Sequence, residues 1–222
     1  MIKHLGVIAD GNRRWAKEQG LPTIEGHKQG LKAIEKLVDG AAEVGIKYIS
    51  FYVFSTENWD RSEAEVSYIM KLAETRIIKY AEKMKEKNGR LVVLGSKERL
   101  SPKLVSIIEK AEKITEDCDG IVVGFCFNYG GEREIADAAN IALKADGEIT
   151  PKTIRKHLYH PEIPDIDMVI RTSGEERISG FMLWRASYAE FMFIKKYFPE
   201  MSEEDIRTIV EEYNSRNRRF GK

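Results

Sequence analysis

The chain has 222 residues, 42% hydrophobic and 32% charged, the balance of a soluble globular protein long enough for one well-packed domain spanning 1–222. Lys plus Arg and Asp plus Glu both count 36, so the formal net charge is zero, which argues against a protein that coats nucleic acid by bulk charge. The two cysteines, Cys118 and Cys126, form no CxxC pair, which argues against a disulfide scaffold or a zinc site and points to a reducing, cytoplasmic setting.

Apolar, strand-like runs recur at 5–9, 48–54, 91–94, 121–127, 168–170 and 191–194. The first run begins almost at the N-terminus, and no stretch of about 18 apolar residues occurs, so neither a signal peptide nor a membrane span is expected. Residues 24–44 place Ile24, Leu31, Ile34, Leu37, Val38, Ala41 and Ala42 at helical intervals, with Gly45 as a C-terminal stop. Residues 63–87 repeat near 3.6, and Ser101-Pro102 opens a further helix. Strands alternating with helices predict an α/β fold with a mostly parallel central sheet flanked by helices. Such sheets bind ligands beyond the carboxyl ends of their strands, so the polar clusters that follow strands are where chemistry is expected.

Four such clusters stand out. Asp10-Gly11-Asn12-Arg13-Arg14-Trp15 follows the first strand and suits a diphosphate. Gly11 allows close backbone approach, the arginines supply charge, and Asp10 is either a magnesium ligand or an ordinary helix cap. Ser55-Thr56-Glu57-Asn58-Trp59-Asp60-Arg61 follows the second strand and is either a ligand cluster or a capping segment. Asn128-Tyr129-Gly130-Gly131 predicts a tight turn before a helix and is a weak phosphate signal. Arg171-Thr172-Ser173-Gly174-Glu175-Glu176-Arg177-Ile178-Ser179 follows a short apolar run and suggests a second anion site. Glu190, beside another apolar run, is either a metal ligand or the partner of an arginine. His27 is either a phosphate donor or a surface histidine, and His157 and His160 lack the partners of a metal site. No Walker A motif, nucleophile elbow or dinucleotide fingerprint is present.

Taken in order, these blocks resemble the cis-prenyltransferase family, the undecaprenyl diphosphate synthase-like isoprenyl transferases. The resemblance lies in Ile8-Ala9-Asp10-Gly11-Asn12 with Arg14-Trp15-Ala16, Gly26-His27, Phe54-Ser55 with Glu57-Asn58-Trp59 and Arg61, and Asn128-Tyr129-Gly130-Gly131. It continues through Ile170-Arg171-Thr172, Arg177-Ile178-Ser179, Leu183-Trp184, Tyr188-Ala189-Glu190 and Arg218-Arg219-Phe220-Gly221. It implies a homodimeric transferase with a hydrophobic tunnel between sheet and helices. The implied reaction condenses an allylic diphosphate with isopentenyl diphosphate, forms a cis double bond and releases diphosphate.

By resemblance, Asp10 is the carboxylate that handles Mg2+, and Gly11, Asn12, Arg13, Arg14, Trp15 and His27 belong to the allylic site. Ser55, Thr56, Glu57, Asn58, Trp59 and Arg61 position the reacting groups, with Asn58 assisting proton removal. Arg171, Arg177, Ile178 and Ser179 hold isopentenyl diphosphate, Glu190 is the second magnesium-associated carboxylate, and the 218–220 tail reaches a neighbouring subunit. The product lipid would be delivered to a membrane, with the protein cytoplasmic or peripheral at that membrane. Thr23 and Glu132 stand where bacterial chain-elongating members carry arginines, and Arg13 where they carry glycine, so an unusual acceptor or a catalytically silent partner subunit are the alternatives. Val53, Phe125 and Phe127 are bulky enough to predict a short or medium product.

Overall fold

The computed structural model describes residues 1–216. The strands are β1 (His4–Ile8), β2 (Tyr48–Ser55), β3 (Arg90–Leu94), β4 (Val122–Tyr129), β5 (Met168–Arg171) and β6 (Glu190–Phe193). The helices are α1 (Asn12–Glu18), α2 (Thr23–Glu43), α3 (Glu63–Glu86), α4 (Pro102–Ile114), α5 (Gly131–Asp146), α6 (Pro151–Lys156) and α7 (Glu203–Ser215). The strands form one sheet in the order β3-β4-β2-β1-β5-β6, and every pairing is parallel. The expected mostly parallel sheet is thus fully parallel over the described residues.

Strand β1 shows why the apolar runs were continuous: both its faces are covered. Leu5 and Val7 enter the core formed with α2 and α7, while Ile8 enters the core on the opposite face with Phe181 and Met182. Helix α2 buries Ala33, Ile34, Leu37, Val38 and Ala41 against the first face, and Gly45 follows it at φ 81, a left-handed value that suits glycine. Ser101 caps α4 by accepting the Leu104 N–H at 3.1 Å, with Pro102 in the first turn as expected. Cys118 and Cys126 are both free thiols.

Asn128-Tyr129-Gly130-Gly131 is a correction: no tight turn forms there. Asn128 and Tyr129 complete β4, Gly130 is extended, and α5 starts at Gly131. The two glycines serve close packing, since an added Cβ would lie 2.6 Å from Thr56 Oγ1 at Gly130 and 2.5 Å from the Gly180 carbonyl at Gly131. The Gly131 N–H donates to that same carbonyl at 2.9 Å, so this N–H is not available to a phosphate.

From β1 the chain builds one side of the sheet with β2, then the edge strand β3 and β4 between them, and returns to build the other side with β5 and β6. Connections leaving β1 and β5 therefore diverge, and a crevice opens beyond their carboxyl ends. Asp10 and the segment after Arg171 lie at that point. Beside it, between α2, α3 and the first sheet face, is a cavity of ≈ 600 Å³. It exists because α3 is buried at Val66, Ile69, Ala81 and Met84, near its ends, while Leu72, Ala73 and Ile77 in its middle remain only partly covered.

Candidate active site

Asp10 sits where β1 ends. Its backbone is clamped by Thr172, whose hydroxyl accepts the Asp10 N–H at 2.9 Å and donates to the Asp10 carbonyl at 2.6 Å. The carboxylate accepts from Gly11 N–H at 2.7 Å and Arg171 Nη2 at 2.9 Å, and Arg14 Nη2 stands 3.4 Å away. Burial pushes the Asp10 carboxyl up, but Arg171, Arg14 and the Gly11 N–H outweigh it and hold the group below the usual carboxylate value. Asp10 is therefore ionised and is not a helix cap; Gly11 is the cap of α1. Gly11 adopts φ 101, and an added Cβ would lie 2.6 Å from the Tyr197 ring and 2.9 Å from Ser173 Cβ.

The second anion cluster joins the first. Arg171, buried at 5% exposure, donates through Nη1 to Ser179 Oγ at 2.8 Å and to the Arg177 carbonyl while its Nη2 holds Asp10. Arg14 donates to Ser173 Oγ at 2.5 Å and to Glu175 Oε1 at 2.9 Å, and Glu175 also accepts from Arg177. Glu175, whose place in the sequence gives it no role of its own, thus ties Arg14 of the first cluster to Arg177 of the fourth. The hydrogen bond from Arg177, then that from Arg14, lowers its pKa.

A further group forms where α1, α2 and α3 meet. Helices α1 and α2 cross so closely that a Cβ on Gly26 would lie 2.0 Å from the Asn12 carbonyl, and one on Gly30 2.6 Å from Asn12 Oδ1. This crossing sets Asn12, Trp15 and His27 at the cavity wall. His27 Nε2 lies 3.6 Å from Glu65, which also holds Arg61 at 2.9 Å and Arg13 at 3.5 Å. Burial lowers the His27 pKa; Glu65 opposes that shift, and Arg61 and Arg13 reinforce it. Glu65 was missed because it lies three residues after Ser62 in the pattern of a helix capping box, where a glutamate is ordinarily assigned to the backbone. Ser62 does cap α3, accepting the Glu65 N–H at 3.4 Å, but the Glu65 side chain turns to the cations.

The 55–61 cluster forms a 3-10 turn, Thr56–Asp60, at the carboxyl end of β2. Asn58 Oδ1 accepts the Ser55 N–H at 3.1 Å, and Thr56 Oγ1 donates to Glu57 at 3.1 Å. Trp59 donates to Asn128 Oδ1 at 2.7 Å, lies edge-on to Phe54 and carries the Arg99 guanidinium 4.4 Å above its ring. Its polar atom is thus occupied by a structural contact. Asn128 in turn donates to the Ser96 and Glu98 carbonyls, each at 2.7 Å. Ile178 packs on the second sheet face.

Within one chain, the structure does not bring Glu190 to Asp10. Glu190 begins β6 and pairs with Met168, which pairs with Leu5, so it lies at the amino edge of the sheet, about 16 Å along the strands from Asp10. Within one chain the two carboxylates cannot share an ion. Glu190 instead meets Arg216 at 3.1 Å, the arginine-partner alternative. His157 pairs with Asp146, and His160 with Glu112 at 3.0 Å and Glu162 at 3.2 Å, as structural histidines. Arg218, Arg219 and Phe220 lie outside the described residues. Among the described residues, no three His, Cys, Asp or Glu side chains form a metal cage.

Four buried side-chain polar atoms have no partner among the described residues: Asn12 Oδ1, His27 Nε2, Arg171 Nε and Tyr80 Oη. Three belong to the residues above; of these, His27 Nε2 and Arg171 Nε can donate to an anion, while Asn12 Oδ1 only accepts, and unsatisfied buried groups are rare enough to mark a ligand site. The cavity meets this group at Asn12, Trp15 and His27 and runs from there over Ala9, Leu31, Val53, Ile77, Phe125 and Phe127. Cationic donors at one end and an apolar channel behind them define a site for an amphiphile with an anionic head and a hydrocarbon tail.

The comparisons agree with that chemistry. The family described as putative undecaprenyl diphosphate synthase matches residues 8–221. An isoprenyl transferase of Thermotoga maritima is 42% identical, over 99% of this chain and 96% of its own length. A decaprenyl diphosphate synthase of Mycobacterium leprae is 43% identical, over 98% of this chain and 76% of its own. Among solved structures, lavandulyl diphosphate synthase from Lavandula x intermedia in complex with dimethylallyl diphosphate superposes with a TM-score of 0.93. It is 31% identical and covers 100% of this chain and 98% of its own. The protein is an enzyme, a transferase of prenyl groups of the cis type. The chain belongs to the undecaprenyl diphosphate synthase family.

Proposed function

We propose that this enzyme condenses an allylic prenyl diphosphate with isopentenyl diphosphate in a Mg2+-dependent reaction, extending a chain housed in the cavity. The observation that carries this is the cavity that starts at His27, whose buried Nε2 has no hydrogen-bond partner and which stands beside Arg13 and Arg61 at Glu65, and that continues over apolar side chains. The allylic C–O bond breaks with its electron pair passing to the departing diphosphate. The alkene of isopentenyl diphosphate supplies the pair for the new C–C bond, and a proton leaves to restore the double bond.

Arg13, Arg14, Asn12 and His27 bind the allylic diphosphate and stabilise the charge that grows on it as the bond breaks. Arg177 and Ser179, braced by Arg171, hold the second diphosphate so that its alkene faces the cationic carbon. Asn58 acts by orientation: its carbonyl oxygen is committed to Ser55 and its amide is not basic, so the proton passes to a phosphate oxygen. The donor set fits Mg2+ held by one ionised carboxylate, Asp10, together with phosphate oxygens, the usual mode for this ion. Bound there, Mg2+ would neutralise charge on diphosphate. The enzyme works as a homodimer in the cytoplasm and releases its lipid product at a membrane surface. No helix among the described residues is long and apolar enough to cross one.

The test is turnover of labelled isopentenyl diphosphate with allylic diphosphates of increasing length, with and without Mg2+, and products separated by chain length. Asp10→Asn should lower kcat by about a hundredfold or more with the fold intact. Retention of activity in that variant refutes the role of Asp10. Failure to elongate any donor, with reaction only from other acceptors, would favour the unusual acceptor suggested by Thr23 and Glu132.

A further inference from the structure

Arg13, His27 and Arg61 come from three separate segments, α1, α2 and the turn before α3, and nothing in their sequence spacing brings them together. One side chain does. Glu65, only 12% exposed in the first turn of α3, stands 2.9 Å from Arg61, 3.5 Å from Arg13 and 3.6 Å from His27 Nε2. We propose that Glu65 is a positioning residue that preassembles Arg13, Arg61 and His27 as the cradle for the allylic diphosphate, a role that rests on the prenyl-transfer function proposed above.

Three features support it. Arg13 is 59% exposed on a helix of seven residues, so without an anchor its long side chain would be ordered only when the ligand arrives, at an entropic cost to binding. A guanidinium has five N–H donors, and a single carboxylate leaves most of those on Arg13 and Arg61 available for phosphate oxygens. The His27 Nε2 atom is buried without a hydrogen-bond partner and stands beside the same carboxylate, at the wall of a cavity into which the ligand's tail would run. Two guanidiniums around one carboxylate also leave the cluster net positive even when His27 is neutral, so Glu65 organises the site without cancelling its attraction for an anion.

The test compares Glu65→Gln and Glu65→Asp with the parent enzyme in steady-state kinetics for both substrates. In parallel, calorimetry follows binding of inorganic diphosphate to each protein. Glu65→Gln should raise KM for the allylic diphosphate at least tenfold, leave KM for isopentenyl diphosphate within twofold, and weaken diphosphate binding by a similar factor. Glu65→Asp should recover part of the loss, and circular dichroism should show all three proteins folded. An unchanged allylic KM, an equal rise for both substrates, or tighter diphosphate binding in Glu65→Gln overturns the proposal; the last would show the carboxylate competing for the arginines. If the parent binds diphosphate in a Glu65-dependent way but transfers no prenyl group, the positioning role stands and the assigned reaction falls.

Discussion

His4, at the start of the strand that delivers Asp10, should make this protein lose stability in mild acid. Its ring is fully buried, with Nδ1 2.9 Å from the Pro164 carbonyl and Nε2 2.8 Å from Ser50 Oγ. A proline carbonyl can only accept, so Nδ1 carries the proton and Nε2 accepts from the serine hydroxyl; the ring is neutral. Burial drives its pKa down to about 4 from 6.5. Arg185 adds to that shift, while the Pro164 carbonyl, Asp167 and Asp165 oppose it. The unfolded chain takes up a proton near pH 6.5 and the folded one does not until near pH 4. Stability is therefore full above the upper value and falls as pH drops between the two. At 1.36 kcal/mol per unit, the loss is about 3 kcal/mol, a large part of a typical folding free energy. Urea unfolding midpoints between pH 7.5 and 4.5 at constant ionic strength measure it, with His4→Gln, which cannot titrate, as the control. His27, whose pKa is also lowered, contributes with the same sign, and the lowered carboxyls of Asp10, Asp146, Glu162, Glu175 and Asp205 add to the fall at the acid end, so the part that belongs to His4 is the difference between the parent and His4→Gln. His160 has a raised pKa, so its contribution grows as pH falls toward 6.5 and is constant below it, opposite in sign to His4 and outside the range in which His4 acts. A His4→Gln variant whose midpoint falls as steeply as the parent's refutes the assignment.

Three other perturbations test the parts of the structure that support the site. Gly26→Ala places a methyl group 2.0 Å from the Asn12 carbonyl, so it should cost about 1 to 3 kcal/mol in denaturant and raise the allylic KM by displacing α1; an unchanged KM would mean that this crossing does not set the mouth. Arg185→Met leaves Glu134 buried without its partner, held now at 2.7 Å with both side chains at 0% exposure, and should cost about 3 to 5 kcal/mol, largely recovered in the double variant with Glu134→Gln. Phe125→Ala enlarges the cavity at a point where the ring lines it, and product analysis should show longer chains; an unaltered product distribution would place the length limit elsewhere.

The sheet was legible because a parallel sheet covered on both faces writes its strands as unbroken apolar runs, and each run matches a strand to within about two residues. The anion clusters were legible because they follow strands, and Asp10, Arg14, Arg171, Arg177 and Ser179 do converge. Asn128-Tyr129-Gly130-Gly131 misled because glycine pairs serve close packing as readily as turns, and nothing local announces that Thr56 and Gly180 approach from far along the chain. The buried Arg185–Glu134 pair was illegible for the same reason: its members are 51 residues apart, and only the fold brings them together.

Glu190 and Glu65 show how sequence order and spatial order part company in opposite senses. Glu190 lies beside a strand, which drew it into the metal site, but it precedes that strand. In an all-parallel sheet, residues that precede strands gather at one edge and residues that follow them at the other. The rule used to find Asp10 therefore excludes Glu190 from the same site within one chain, and the exclusion needs no coordinates once the sheet is known to be parallel. Glu65 lies seven residues beyond Asn58 and inside a helix-capping pattern, so local rules consume it. Its role appears only when α1, α2 and α3 are brought to one point, because what selects that position is the convergence of Arg13, His27 and Arg61 upon it.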